Sequence, residues 1–382
     1  MMARRHLRAA LALMIAGGVL LQAQIAHAET WSRAAAPTAP LTSSLSTSQG
    51  TWALLPMEGF WELFLLGTGG TAWTLQTPPG VADNGGLVVS GGAPGSLVAG
   101  FRPSQSLKFS PLATTQDAGG TWTPGIFPSA LAAAPDALAA ASDQKLLALS
   151  QGSGGAVWGS QTPGGNWSRI MTLTMAAHTT ALRACDPGAL TAVAFAAGGT
   201  PLVGAECRRP GAVGVVALIG DRPTPAGPAL PGSLRSDAVS VLRLTSTPDG
   251  AAALLLARAG SRSTLLGAWE SAGAPWSLSS PLPIGGASIA STLIGPGLSF
   301  GVVLDEAGSH RMAEVIQGPG SSWQRLPPLP APATLVAPTG GGEVDALGSH
   351  GAKFHTWRLA PASDAWAPGQ TLKVPIQAGS ST

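Results

Sequence analysis

Two carboxylates facing each other across a cleft would be enough to cleave a glycosidic bond, provided that one of them had a raised pKa and kept its proton. The chain offers 19 acidic residues for that work. Asp136, Asp143, Asp237, Glu270, Asp305, Glu306 and Glu343 could line one face, but no spacing singles out a pair. Asp305-Glu306 reads as the flank of a turn at Gly308. Metal chemistry has less to draw on. Of six histidines, His6 and His27 fall at the N-terminus, and His178, His310, His350 and His355 are scattered without ligand spacing. No metal and no other cofactor is expected. Gly297-Leu298-Ser299-Phe300-Gly301 matches the Gly-x-Ser-x-Gly pattern of hydrolases. Val302-Val303-Leu304 follows it where that chemistry needs a helix, so the match reads as coincidence. Glycine-rich stretches such as Gly91-Gly92-Ala93-Pro94-Gly95 have neither a Lys nor a following helix, and read as hairpin turns rather than phosphate cradles.

The elements that would position any such residues are announced by one octapeptide, Thr115-Gln116-Asp117-Ala118-Gly119-Gly120-Thr121-Trp122. Thr115 and Asp117 can hydrogen-bond across a tight turn, and Gly119 supplies a backbone angle strained for other residues. Trp122 then packs its ring on the outgoing strand. Weakened copies follow. Residues 160–167 keep the Ser, the Gly and Trp167, with Thr162 in the Asp position. Residues 269–276 keep Gly273 and Trp276, residues 316–323 keep Gly320 and Trp323, and residues 359–366 keep only Trp366. Residues 72–80 parallel 157–165, which places another repeat end near residue 82, and a Trp-less turn is expected around Gly220-Asp221-Arg222-Pro223. The Trp-to-Trp steps are 45, 47 and 43 residues, and the 109-residue gap from Trp167 to Trp276 holds two more repeats. Steps of about 40–50 residues, four strands each, are those of propeller blades. The count is seven, with six or eight as alternatives.

With Thr115, Asp117, Gly119, Thr121 and Trp122 all in place, the chain resembles the Asp-box, or bacterial neuraminidase repeat, family of sialidase-like β-propellers. The resemblance implies a fold rather than a chemistry, because in that family the box is a structural turn at the blade rim. It also invites comparison with the sialidases. Phe101-Arg102-Pro103 lies before the box and echoes their Phe/Tyr-Arg-Ile-Pro motif without its Ile. The family's nucleophile is a Tyr, and this chain contains none, so sialidase activity is excluded.

Short apolar runs of four to eight residues, punctuated by Gly, Pro, Asp or Ser, fill most of the chain, and no sustained helical periodicity appears outside the N-terminus. Residues 130–141 are the one helix-like stretch, and Pro135 interrupts them. The expected class is all-β, with residues 48–382 as a single propeller. Ring closure is expected to mix strands from both ends, at residues 51–55 and 371–374. Residues 1–28 read as a secretory signal peptide: Arg4, Arg5 and Arg8, an apolar run over 9–21, then Ala26-His27-Ala28. Arg4-Arg5 raises the twin-arginine route, which Leu7-Arg8 fits poorly, so a Sec-type signal is expected. Residues 29–47, rich in Ala, Pro, Ser and Thr, read as a disordered linker. In an exported chain, Cys185 and Cys207 read as a disulfide near the open end of a hairpin turning at Gly198-Gly199, with two buried free thiols as the alternative.

Charged residues make up 10% of the chain, with a formal net charge of +2. Such sparse charge argues against a nucleic-acid partner, and nothing after the signal is long and apolar enough to span a membrane. A monomer is expected. Trp31, Trp52, Trp61 and Trp158 stand off the repeat ends; exposed, they would suit sugar stacking, and buried, they would pack between blades. The favoured reading is an exported, non-catalytic propeller that binds or scaffolds a glycan or an envelope protein through channel-face loops. The alternative is a divergent glycoside hydrolase or lyase using two carboxylates.

Overall fold

A computed structural model describes residues 44–375, apart from 59, 79–83, 92–95, 104–110, 128–134, 143, 152–154, 163, 197, 221, 248–249, 272–273 and 307–310. These residues fall in one compact unit and are almost entirely β-structure. The expected signal peptide lies outside the described residues.

The strands follow one another as four-stranded antiparallel meanders. Meander 1 is β1 (Ser44–Thr47), β2 (Gly50–Met57), β3 (Phe60–Gly67) and β4 (Trp73–Leu75); meander 2 is β5 (Asn84–Gly91), β6 (Leu97–Pro103), β7 (Pro111–Thr115) and β8 (Thr123–Ile126). Meander 3 is β9 (Ala137–Ala140), β10 (Leu146–Ser150), β11 (Ala156–Ser160) and β12 (Trp167–Thr172). Meander 4 is β13 (Pro187–Phe195), β14 (Pro201–Cys207), β15 (Gly214–Ile219) and β16 (Arg222–Pro225). In meander 5, β17 (Ala238–Thr247), β18 (Gly250–Ala259) and β19 (Arg262–Ser271) are flanked by two short pieces, β20 (Ser277–Leu278) and β21 (Leu282–Pro283). Meander 6 is β22 (Ser288–Ile294), β23 (Phe300–Asp305), β24 (Arg311–Ile316) and β25 (Gln324–Arg325). Meander 7 is β26 (Ala333–Gly340), β27 (Glu343–His350), β28 (Lys353–Leu359) and β29 (Ala367–Lys373).

Each meander buries both faces, which is why its strands read as short apolar runs. Along β18, Ala251, Ala253, Leu255 and Ala257 enter the core shared with meander 4, while Ala252, Leu254 and Leu256 enter the core shared with meander 6. Along β2, Trp52 and Leu54 pack toward meander 2, and Ala53, Leu55 and Met57 toward meander 7. This two-residue alternation sorts side chains between two neighbours. The described residues give seven apolar cores, one for each seam, the last joining meander 7 to meander 1. Small residues let the sheets approach closely. A Cβ on Gly301 of β23, in meander 6, would lie 2.4 Å from the Val336 carbonyl oxygen of β26, in meander 7.

The first strands of the meanders pack side by side, and β1 also pairs in parallel with β22 through Ser44–Leu293 and Leu45–Ile294. Arg243, buried on β17, ties this centre together. Its Nη1 donates to the Thr292 hydroxyl at 2.9 Å, and its Nη2 donates to the Ser44 carbonyl at 2.9 Å. Burial lowers the Arg243 pKa to about 10, so the guanidinium is still charged at neutral pH.

Four expectations need correcting. Ser44–Thr47, placed in the linker 29–47, form β1, because Ser44 and Leu45 find a partner strand in β22. Residues 51–55 and 371–374 do not share a sheet; each terminal meander takes four consecutive strands, and the two meet face to face. Trp73 opens a fourth strand, as Trp167 does, so meander 1 ends at Leu75 rather than near residue 82. The crossover from meander 3 to meander 4 also holds two unforeseen helices, α1 (Leu173–His178) and α2 (Thr180–Arg183); Ala137–Ala140 forms the inner strand β9, in keeping with the all-β expectation. Threonines start both helices: the Thr172 hydroxyl accepts from the Met175 amide at 3.0 Å, and the Thr179 hydroxyl from the Leu182 amide at 3.2 Å.

Candidate functional site

The antiparallel order gives the meanders two ends. Turns from first to second and from third to fourth strands lie at one, the turn end. Turns from second to third strands lie at the other, the crossover end, together with the connections between meanders.

The Asp117 octapeptide is a turn-end element between β7 and β8. The Thr115 hydroxyl donates to Asp117 Oδ1 at 2.7 Å and accepts from the Gly119 amide at 2.9 Å. Thr121 donates its amide to Asp117 Oδ1 at 2.8 Å and its hydroxyl to Oδ2 at 2.7 Å. Gly119 sits at φ +89°. The donated hydrogen bonds, those of Thr121 foremost, lower the Asp117 pKa to about 2. This carboxylate is fully engaged by its own turn and is not poised for acid–base work. In the copy at residues 160–167 the Ser160 hydroxyl donates to the Thr162 carbonyl at 2.7 Å, and no carboxylate takes part.

Six tryptophans, Trp73, Trp122, Trp167, Trp276, Trp323 and Trp366, open the fourth strands or immediately precede them, and each packs back toward the preceding meander. Trp276 donates to the Ala226 carbonyl at 2.6 Å, Trp323 to the Ser279 hydroxyl at 3.3 Å and Trp366 to the Pro327 carbonyl at 3.4 Å. Trp73 donates to Asp345 Oδ2 at 2.9 Å, and Asp345 also holds Arg358 through Nε at 2.8 Å and Nη2 at 3.0 Å. Trp122 and Trp167 pack in the same sense, against meanders 1 and 2, but their indole N–H groups have no acceptor among the described residues. Meander 4, with its turn at Gly220, has no such Trp. Trp52 is buried, and Trp61 and Trp158 are half-buried against the seams; Trp31 lies outside the described residues.

The carboxylates proposed from sequence are dispersed. Asp136 Oδ2 accepts from the Gln151 amide at 2.6 Å, Asp305 pairs with Arg311 at 3.0 Å, and Glu343 lies 3.9 Å from Arg358. Asp237 is fully buried and takes Arg262 at 3.1 Å; its Oδ2 has no partner among the described residues. Burial raises the pKa of Glu270. It also raises those of two acids that no sequence pattern marked: Glu62, partly offset by the Thr77 hydroxyl, and Glu314, partly offset by Arg325. Glu62 on β3 and Glu314 on β24 are separated by β2, β1, β22 and β23, which sets them on the order of 20 Å apart at sheet spacing. Glycosidase pairs work at about 5–9.5 Å. Asp143, His310 and the side chain of Arg102 fall outside the described residues.

Ser299 is buried and donates to the Pro296 carbonyl at 2.8 Å, inside a tight turn rather than at a helix start. His355 shares a hydrogen bond with Thr371 at 3.1 Å and stacks on Trp357, and the described residues hold no cluster of metal-ligating side chains. A small cleft between meanders 2 and 3 at the turn end is lined by Ser96, Thr114, Gln116 and Gln144 among others, with no ionisable group.

Chemistry concentrates instead at the crossover end of meanders 4 and 5. Cys185 and Cys207 form a disulfide there, which joins the end of the helical crossover to the end of β14. Arg208 donates its amide to the Asp186 carbonyl and Arg209 to the Cys185 carbonyl, both at 3.1 Å. Gly211 donates to the Asp237 carbonyl at 3.1 Å, and Ala238, next in the chain, faces Arg258 across β17 and β18. Arg183, Arg208, Arg209, Arg235, Arg258 and Arg262 are all exposed on these linked segments. From sequence, Arg208-Arg209 reads as a solvated turn after Cys207, and nothing groups it with the others, which are spread from residue 183 to residue 262 in a chain with little charge.

No family model matches the chain, and no curated protein matches it in sequence. Solved structures are similar to it in fold. A protein provisionally assigned as a 6-phosphogluconolactonase from Bacteroides uniformis is 11% identical, with a TM-score of 0.50, over 85% of this chain and 96% of that one. The β-propeller domain of Cps50 (Swd1) from Myceliophteria thermophila is 11% identical, with a TM-score of 0.48, over 83% of this chain and 99% of that one. A polysaccharide lyase of family PL25, an ulvan lyase, is 9% identical, with a TM-score of 0.44, over 78% and 83%. At these identities the likeness is one of fold: the chain is a β-propeller. No helix among the described residues is long and apolar enough to cross a membrane.

Proposed function

We propose that the protein is an exported, seven-bladed propeller of the Asp-box kind, each meander one blade, that binds a glycan or an envelope protein rather than transforming it. One observation carries the reading: of the acids that could have formed a catalytic pair, Asp136, Asp237, Asp305 and Glu343 are each engaged by a local partner. The disulfide, the signal-like N-terminus and the self-contained Asp117 turn support export and kinship; both stay part of the proposal.

The test is a panel of oligosaccharides offered to the full chain, with thermal shift and newly released chain ends recorded together. A shift without release supports a binding propeller. Release overturns the non-catalytic reading and favours a two-carboxylate hydrolase or lyase.

A further inference from the structure

We infer that the arginine-bearing loops at the crossover end of meanders 4 and 5 are a docking edge for an acidic polysaccharide, whose carboxylate or sulfate groups they pair with guanidinium forks. The inference rests on the binding reading above and gives it a ligand class. Six exposed arginines stand there against Asp186 and Glu206, both half-buried, and the buried Asp237. This one edge therefore has a local excess of three positive charges in a chain whose formal net charge is +2. All six cations are arginines, whose planar fork matches carboxylate and sulfate oxygens two at a time, which an ammonium does not.

The edge is also held in place before any ligand arrives. The disulfide fixes the base of the Arg208–Arg209 loop, and that loop is bonded to the Cys185, Asp186 and Asp237 backbones. Gly211, at φ +83°, lets it lie so close to the segment bearing Arg235 that a Cβ would come within 2.8 Å of the Arg235 carbonyl oxygen. Rigid loops lose little freedom on binding, which suits an interaction made of many weak ionic contacts.

The surroundings favour a polysaccharide over other polyanions. Among the described residues the large exposed apolar side chains are Ile126, Met175 and Ile219, and of these only Met175 belongs to the helical crossover beside this edge. A membrane surface calls for an apolar face to insert, an acidic peptide for an anchoring pocket, and single-stranded nucleic acid for aromatic platforms. A polymer of repeated charge and hydroxyl groups needs none of these.

The experiment measures affinity of the full chain for polygalacturonate, heparin, neutral dextran and single-stranded DNA. Binding to polygalacturonate or heparin is expected to fall at least tenfold between 50 and 300 mM salt, with dextran unbound. The triple variant Arg209→Ala, Arg235→Ala, Arg258→Ala should lose tenfold or more at low salt with an unchanged melting temperature. Arg222→Ala at the turn end should lose nothing. If the triple variant does not fold, Arg209→Glu alone serves, with a several-fold loss expected. Undiminished binding by a folded variant overturns the edge, as does failure to bind either acidic polymer, and tighter binding to DNA overturns the polysaccharide assignment. A neutral glycan that shifts the melting temperature while both acidic polymers fail would sink the edge and leave the binding reading standing. Release of new chain ends would sink the non-catalytic reading, and the arginine variants would still decide the edge by affinity.

Discussion

Between meanders 7 and 1, Trp73 lies against Phe354 and gives its indole N–H to Asp345, Gln370 exchanges two hydrogen bonds with the Trp73 backbone at 2.8 and 2.9 Å, and Phe64 stacks on Phe354 at 4.0 Å. Between meanders 3 and 4 the described residues place no indole in the core. Leu182 and Ala176 of the helical crossover fill that core, together with both cysteines of the disulfide. The first seam joins stretches almost 300 residues apart with directional polar groups and rings. The second joins consecutive stretches and replaces the Trp with extra chain and a covalent bond. A missing latch residue has thus been compensated locally, and the segments recruited for it carry three of the six exposed arginines, Arg183, Arg208 and Arg209.

Breaking the first seam should give the largest effect. Trp73→Ala removes a fully buried ring and leaves Asp345 short of a donor, and is expected to cost about 4 kcal/mol in urea unfolding. Replacing both cysteines with serine breaks the staple of the second seam. Cys185 and Cys207 are 22 residues apart, and opening a loop of that length should cost about 3 kcal/mol. Because the two lesions share no contacts, their combination should be additive to within about 0.5 kcal/mol; strong coupling would mean that the seams are not independent.

The contrast between the intact Asp117 turn and its carboxylate-free copy can be sharpened in the same way. The Asp117 pKa is depressed to about 2 by Thr121 and Thr115, so the folded chain takes up this proton less readily than the unfolded chain. Its stabilising contribution is whole above about pH 4 and is lost as pH falls toward 2. Asp117→Asn should therefore melt lower than the wild type at pH 6, and scanning calorimetry should show the gap closing by pH 2. Thr162→Asp offers the second turn the acceptor it lacks, for a gain of about 0.5 kcal/mol, the smallest effect of the four.

The parts of this design visible in the sequence are those written locally. The Trp-ended turns at residues 122, 167, 276, 323 and 366 mark fourth strands because a turn and the strand after it depend on neighbouring residues. Trp73 aligns in sequence with Trp158, because residues 72–80 copy the wording of residues 157–165, yet Trp73 opens a fourth strand and Trp158 lies on a third. Ring closure is not legible in sequence, because a strand such as residues 371–374 does not state whether it will pair by its edge or pack by its face. The short helices 173–178 and 180–183 have no apolar periodicity long enough to announce them. Asp345, Glu62 and the arginine edge were invisible for one reason: burial and proximity arise only when segments distant in sequence are brought together.

The seam between meanders 7 and 1 also sets a timetable. Trp73 leaves the ribosome 272 residues ahead of Asp345, and β1 must wait for β22 before its free edge is covered. A nascent chain thus carries a sticky N-terminal face for most of its synthesis, shielded only when the last meander arrives. The ring cannot lock before its final strands are made.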